Sequence, residues 1–435
     1  MMLAVFAALA LDPVFGAPTL AGAHVSALAV DASSGAVLYD RNAGDAMVPA
    51  SAIKLIVGSA ALDRLGTGFT FTTAFTTDGN DLYLVGGGDP LLDSADIADA
   101  ARTLAAVGEA FFPGSLVADP GAASNPRYPD GWQVDDLPND YAAPASALSF
   151  SHNAVTIVAH PGPAVGSPLV VDPLAAPYPA IENDATTGAP GSADTTQLEL
   201  AWDAPNAVRI TGSYPLDART PDELDASVLD PARFTLASVA RDLSANGVTL
   251  HGAPALGRAP ATARTLWTHR SLYLPALLAK MWQPSDNLLA ESLYQAIGGA
   301  GAERAWLHAA GIDPATLTIA DGSGMSAYDR VSARALVSVL QHDWNGPNRQ
   351  IVLDALPLAG KRGTLEHAFT GTPLEGAVFA KTGTSNHTRA LAGYLTTPHG
   401  TVAFALLIND WMDGAPGAAD RLRAVQAQFL AALQR

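Results

Sequence analysis

Cysteine is absent from all 435 residues, which removes disulfides, thiolate zinc sites, iron–sulfur clusters and a cysteine nucleophile and leaves the redox compartment open. Basic residues are scarce. Lys and Arg total 24 against 42 Asp and Glu, and the net charge of -18 repels phosphate backbones and anionic membrane surfaces, so no nucleic-acid partner is expected. The ten histidines include no His-Glu-x-x-His spacing and no convincing pair, so no metal is predicted. Gly86-Gly-Gly88 lacks the Lys-Ser/Thr of a phosphate loop and reads as a tight turn, and no cofactor is expected. Long apolar runs are missing too: Met1 to Leu11 is too short to span a bilayer, and no transmembrane segment is predicted.

What is present is apolar. Hydrophobic residues make up 49% and charged residues 15%, which suits a globular chain with ample core, and 435 residues leave room for two or three domains. The apolar start carries an Ala8-Leu9-Ala10 triplet of cleavage type but lacks the basic residues that open a signal peptide. Residues 1–16 are therefore read as a residual export signal, and the protein as exported, periplasmic or extracytoplasmic. The alternative is a short buried helix.

The opening pattern is α+β or α/β. His24 to Asp31 and Ala36 to Tyr39 read as strands joined by the turn formers Ser33-Ser34-Gly35. The run Ile53 to Leu65, ending at Gly66, reads as a helix whose first turn holds Ser51. From about Phe69 to Arg264 the texture changes to short β-type runs, among them Leu82–Val85, Ala154–Val158 and Leu198–Trp202. Pro161 to Ala193 reads as loops. Helical patterns return at Ser271–Trp282, Asn287–Ile297 and Val331–His342, followed by strands near Leu391–Leu395 and Val402–Leu407 and a helix from Ala418 to Leu433. The expected division is a catalytic domain from 17–75 and 263–435, interrupted by a mostly β region at 76–262 of two subdomains.

Three short groups carry chemistry. Ser51-Ala-Ile-Lys54 sets an amine three residues after a hydroxyl on one helical face, which suits a nucleophile and its base; alone it is an exposed helix turn. For Lys54 to act as a base near neutrality its pKa must fall from about 10.4, by burial or a second cation. Lys381-Thr382-Gly383-Thr384, after the apolar Ala377–Ala380, offers that cation on a strand, with Gly383 admitting a substrate backbone; the plainer reading is a strand end. Ser285-Asp286-Asn287 opens a helical run: its hydroxyl can pass a proton to a leaving amine and its amide can align a peptide, or it is simply an N-cap.

Ser-x-x-Lys, Ser-Asp-Asn and Lys-Thr-Gly in that order form the set found in penicillin-binding proteins and class A β-lactamases. Over nearly its whole length the sequence also resembles the low-molecular-mass class C penicillin-binding proteins, the D-alanyl-D-alanine carboxypeptidases/endopeptidases. The matching phrases include Val48–Leu55, Leu82–Leu91, Ala143–Ser149, Ser285–Glu291, Asp321–Ser326 and Lys381–Thr384. The resemblance implies an α/β (α+β) catalytic domain like that of serine β-lactamases and transpeptidases, with mostly β domains inserted after the nucleophile helix.

It further implies that Ser51, Lys54, Ser285 and Lys381 are catalytic and that Asn287, Thr382, Gly383 and Thr384 bind substrate. The substrate would be a peptidoglycan peptide ending in D-Ala-D-Ala, with β-lactams as covalent inhibitors. Within Trp132-Gln-Val-Asp-Asp136, Asp136 matches an acidic residue that in the family meets the free amine of a diaminopimelic acid side chain; otherwise Asp135 and Asp136 shape a turn before Pro138. Two other functions stay open: a β-lactamase or esterase on the same domain, and a cell-wall binding protein with a silent site.

Overall fold

Strands apolar on both faces must be covered on both faces. His24–Asp31 and Gly400–Asn409, with six and eight consecutive buried residues, are of this kind. They form the middle of a five-stranded antiparallel sheet in the computed structural model, which describes residues 11–121, 128–174, 179–201, 206–412 and 417–435. The apolar start, residues 1–10, lies outside the described residues. The chain divides into two units: residues 1–69, 129–132 and 273–435, and residues 70–128 and 133–272.

In the first unit the strands are β1 (His24–Asp31), β2 (Val37–Arg41), β3 (Val378–Ser385), β4 (Thr388–Thr397) and β5 (Gly400–Asn409), in the order β3-β4-β5-β1-β2. Its longer helices are α1 (Lys54–Leu65), α2 (Leu274–Trp282), α3 (Asn287–Ala296), α4 (Gly299–Ala309), α5 (Ala333–Asn345) and α6 (Ala418–Leu433), with a short helix at Arg349–Ala355 between the last two. One sheet face packs on α6 and on the chain before β1: Leu11, Phe15 and Leu20 share a core with Ala27, Phe404, Leu406, Leu422 and Phe429. Phe15 lies 5.9 Å from the Tyr39 ring and 6.0 Å from that of Phe429. Within the stretch read as an export segment, Leu11 and Phe15 are buried in this core, covering β2 at Tyr39, whereas Asp12, Pro13 and Gly16 are exposed.

The other face is covered by α5, and the turn before α1 packs on β3. Lys54 to Leu62 are all buried, so α1 is a central helix. Gly58 is fixed by its neighbour, since a Cβ there would lie 2.2 Å from the Trp282 ring. Overpacking of that kind costs about 1–3 kcal/mol. Trp282 in turn donates its indole N–H to the Lys54 carbonyl at 2.8 Å, locking α2 to the start of α1.

The second unit has two hydrophobic clusters. One joins a five-stranded sheet, with strands at 255–256, 116–119, 82–85, 72–77 and 264–270, to helices Ser94–Ala106 and Pro231–Ala245. Asp93 starts the first of these helices with a capping box to Asp96. The other cluster lies among strands 154–160, 197–200, 207–211 and 222–227. The unit begins at residue 70 and ends at 272 because strands 72–77 and 264–270 pair with each other. Short strands at Val170–Val171, Ala180–Asn183 and Thr186–Gly188 occupy part of the stretch read as loops.

Candidate active site

Ser51 sits in one turn of 3-10 helix, Ala50–Ile53, and the α-helix starts only at Lys54. In 3-10 geometry residues three apart eclipse, so the amine stacks directly on the hydroxyl, with Nζ 2.9 Å from Ser51 Oγ. Ala50, the residue before, is held at φ +45°, a conformation that costs a side-chain-bearing residue about 1–3 kcal/mol.

Lys54 Nζ has two further partners, Asn287 Oδ1 at 2.7 Å and the Ser323 carbonyl. Both are oxygens that only accept. A neutral amine has two N–H bonds and one lone pair; if the two N–H bonds serve Asn287 and Ser323, the lone pair is left for the Ser51 hydroxyl. The three contacts thus fit a base aimed at a nucleophile. Burial lowers the Lys54 pKa to about 8, against the opposing pull of Asp321, Glu291, Asp286 and Asp329. The second cation contributes differently from expectation: the repulsion falls on Lys381, whose pKa is pulled well down, first by complete burial and then by the charge of Lys54.

Asn287 is placed by the cap of α3. Asp286 accepts from the Leu289 N–H at 2.8 Å as N-cap, and the next residue opens the helix. Ser285, just before the cap, is at φ +69°. Its Oγ accepts from Lys381 Nζ at 2.8 Å, and the same amine donates to the Thr382 carbonyl at 2.9 Å. Two pairs, Ser51 with Lys54 and Ser285 with Lys381, are thereby assembled in one unit, with Asn287 on the first amine.

The Ser323 carbonyl is aimed by two buried carboxylates that motif reasoning assigned no role. Glu291 on α3 accepts from the N–H groups of Gly322 and Ser323, each at 2.8 Å. Asp321 accepts from Gly324 N at 2.7 Å, Ser326 N at 2.9 Å, Ser323 Oγ at 3.0 Å and the Trp132 indole at 2.8 Å. Burial, then the neighbouring Asp321, raises the Glu291 pKa to about 8, although the bonds from Ser323 and Gly322 oppose the rise. Gly324, at φ +85°, lets the loop touch the nucleophile turn: a Cβ there would lie 2.1 Å from the Ala50 carbonyl.

On β3, Gly383 makes a close approach within the protein itself. A Cβ on it would lie 2.5 Å from the Pro49 carbonyl and 3.2 Å from Ala52 N, so the glycine seats the strand against the nucleophile turn. Thr382 Oγ1 lies 2.8 Å from Thr364 Oγ1, a partner the sequence did not suggest. Thr384 is exposed and accepts a hydrogen bond from the Arg389 guanidinium. Asp136 belongs to the other unit, in the 3-10 turn Val134–Asp136, where it accepts from Tyr141 Oη at 2.9 Å.

The sequence matches the D-Ala-D-Ala carboxypeptidase 3 (S13) family over residues 7–432. It is 36% identical to a D-alanyl-D-alanine carboxypeptidase of Actinomadura sp. (strain R39), over 96% of this chain and 83% of that one. Among solved structures, penicillin binding protein 4 of Haemophilus influenzae is similar at 26% identity and a TM-score of 0.87, covering 97% of this chain and 98% of the other. A structure of the same protein complexed with a β-lactam matches at 23% identity and a TM-score of 0.82, over 98% and 99% of the two chains. Among the described residues, no helix is long and apolar enough to cross a membrane.

Proposed function

Because the chain belongs to the D-Ala-D-Ala carboxypeptidase 3 (S13) family, we propose that it hydrolyses the terminal peptide bond of peptidoglycan stem peptides through an acyl-enzyme on Ser51. Lys54 takes the Ser51 proton as Oγ attacks the carbonyl carbon of the penultimate D-alanine. The resulting oxyanion is held by the backbone N–H groups of Ser51 and Thr384, donors of a kind worth about 3–4 kcal/mol each. As the C–N bond breaks, Ser285 passes a proton to the departing amine and is reprotonated by the proton that Lys54 took from Ser51, relayed through Lys381. Water then attacks the ester, its proton goes back through the lysine, and Ser51 is regenerated.

Asn287 aligns the peptide, while Thr382, Thr384 and Lys381 hold the carboxylate of the leaving residue. Asp136 takes the free ammonium of the third stem residue. The observation that carries the reading is the contact set of Lys54, two accepting carbonyls and one hydroxyl about a fully buried amine. An endopeptidase cut uses the same acylation with a cross-linked amine as leaving group. A β-lactam acylates the same serine and, offering no leaving amine that departs, is released slowly. The stem peptide lies outside the cytoplasmic membrane, so the enzyme is read as exported, periplasmic or extracytoplasmic.

The test is to supply a stem peptide ending in D-Ala-D-Ala and, in parallel, benzylpenicillin. Release of D-alanine with slow penicillin turnover is expected. Rapid penicillin hydrolysis without D-alanine release would make the chain a β-lactamase, and neither reaction would leave a binding protein.

A further inference from the structure

The β3–β4 hairpin sets Arg389 directly opposite Thr384. Side chains paired this way share one sheet face, and the guanidinium donates to Thr384 Oγ1. A hydroxyl has two lone pairs and one proton. Once Arg389 occupies a lone pair, the Thr384 proton is free to be donated elsewhere, and the hydroxyl becomes a polarised donor suited to an anion.

The cation behind that hydroxyl has no counter-ion among the described residues. Among the described residues no carboxylate pairs with Arg389, and its buried Nε has no partner. This is unusual in a chain with 42 acidic and 24 basic residues. The arginine felt by Arg389, Arg423, has its own acid in Asp420 at 2.9 Å. Lys381, the other cation of this hairpin, has its pKa pulled well down by burial and then by the charge of Lys54. A guanidinium stays charged throughout the working range of pH.

Resting on the carboxypeptidase reading, we propose that Arg389 is a specificity-determining residue, which acts with Thr384 to select substrates bearing a free carboxylate on the leaving residue. Among the described residues Arg389 meets a hydroxyl and no carboxylate, and the substrate's anion supplies the missing counter-charge. Removal of the cation therefore weakens carboxylate-bearing substrates and spares those without the charge.

The experiment compares wild type, Arg389→Gln and Arg389→Lys on two stem peptides, one ending in D-Ala-D-Ala and one whose terminal carboxylate is converted to an amide, with melting curves to compare the folds. For Arg389→Gln, kcat/KM on the acid is expected to fall about ten- to a hundred-fold and on the amide by less than about three-fold, the loss expected for one charge-assisted hydrogen bond. Arg389→Lys should fall between, and the acid–amide preference of wild type should shrink with added salt but that of Arg389→Gln should not. Equal losses on both peptides would reduce Arg389 to a structural role, and no loss on either would remove it from recognition. Penicillin labelling separates the two levels: wild type without a Ser51 adduct overturns the function and this inference with it, whereas a labelled wild type with an indifferent Arg389→Gln overturns this inference alone.

Discussion

Lowering the pH should switch off acylation of Ser51 by protonating Lys54. Lys54 must be neutral to take a proton, and burial brings its pKa to about 8, so about half of the molecules are competent at pH 8, about a tenth at pH 7 and about a hundredth at pH 6. The rate of single-turnover acylation should rise roughly fifty-fold from pH 6 to pH 8 and then level off. A fluorescent penicillin mixed in excess and followed by quench and gel reads this step without deacylation. Glu291 rises to the same range, about 8, so the limb belongs in part to a coupled set of groups. Glu291→Gln separates them: its amide oxygen can still accept from Gly322 and Ser323, while the loss of a negative charge that favours the ammonium moves the limb to lower pH. A rate independent of pH between 6 and 8 would refute Lys54 as the titrating base, and disappearance of the limb in Glu291→Gln would assign the titration to Glu291.

Glu303 is fully buried with both carboxylate oxygens unpartnered among the described residues, and burial, then Asp321 and Glu291, holds its pKa well above the usual value of 4.5. The folded state keeps a proton that the unfolded chain has lost, so stability falls as pH rises above about 4.5, by up to about 1.4 kcal/mol per unit; Glu303→Gln should match wild type near pH 4 and melt higher at pH 8, and equal melting at both would show that Glu303 carries no such cost. Asp136→Ala should lower kcat/KM about ten- to a hundred-fold on a peptide with a free amine on its third residue and change little when that amine is acetylated. Equal losses on both would make Asp136 a structural residue, holding Tyr141.

The parts of the site legible in the sequence are those set by local spacing. Ser51 and Lys54 are three residues apart, Ser285 and Asn287 flank a cap, and Lys381 lies on a strand announced by the apolar residues before it. The spacing did not reveal that the nucleophile turn is 3-10, which is what stacks the amine on the hydroxyl. Ser323 was illegible for another reason: it acts through a main-chain carbonyl, which every residue has, and only packing against α3 aims it. Asp321 and Glu291 stood in matching phrases, but their work is to bind backbone N–H groups across the fold, and no local pattern marks that. Arg389 could have been found by counting back through a two-residue hairpin from Thr384.

In the fold, the buried strands of the first unit were readable because both their faces are apolar. The helices Ser94–Ala106 and Pro231–Ala245 were hidden in a stretch rich in turn formers, where short strands dominate the pattern. Leu11 and Phe15 show the limit of the pattern at the apolar start. An apolar start serves equally as an export segment and as core, and only the ring contacts of Phe15 with Tyr39 and Phe429 distinguish the two.

The central claim is that Ser51 is the acyl acceptor, and intact-protein mass spectrometry after exposure to penicillin tests it most directly. Wild type should gain the mass of one penicillin, with peptide mapping placing it on Ser51, and Ser51→Ala should gain none while melting as wild type does. An adduct on another serine, or one that persists in Ser51→Ala, would contradict the assignment.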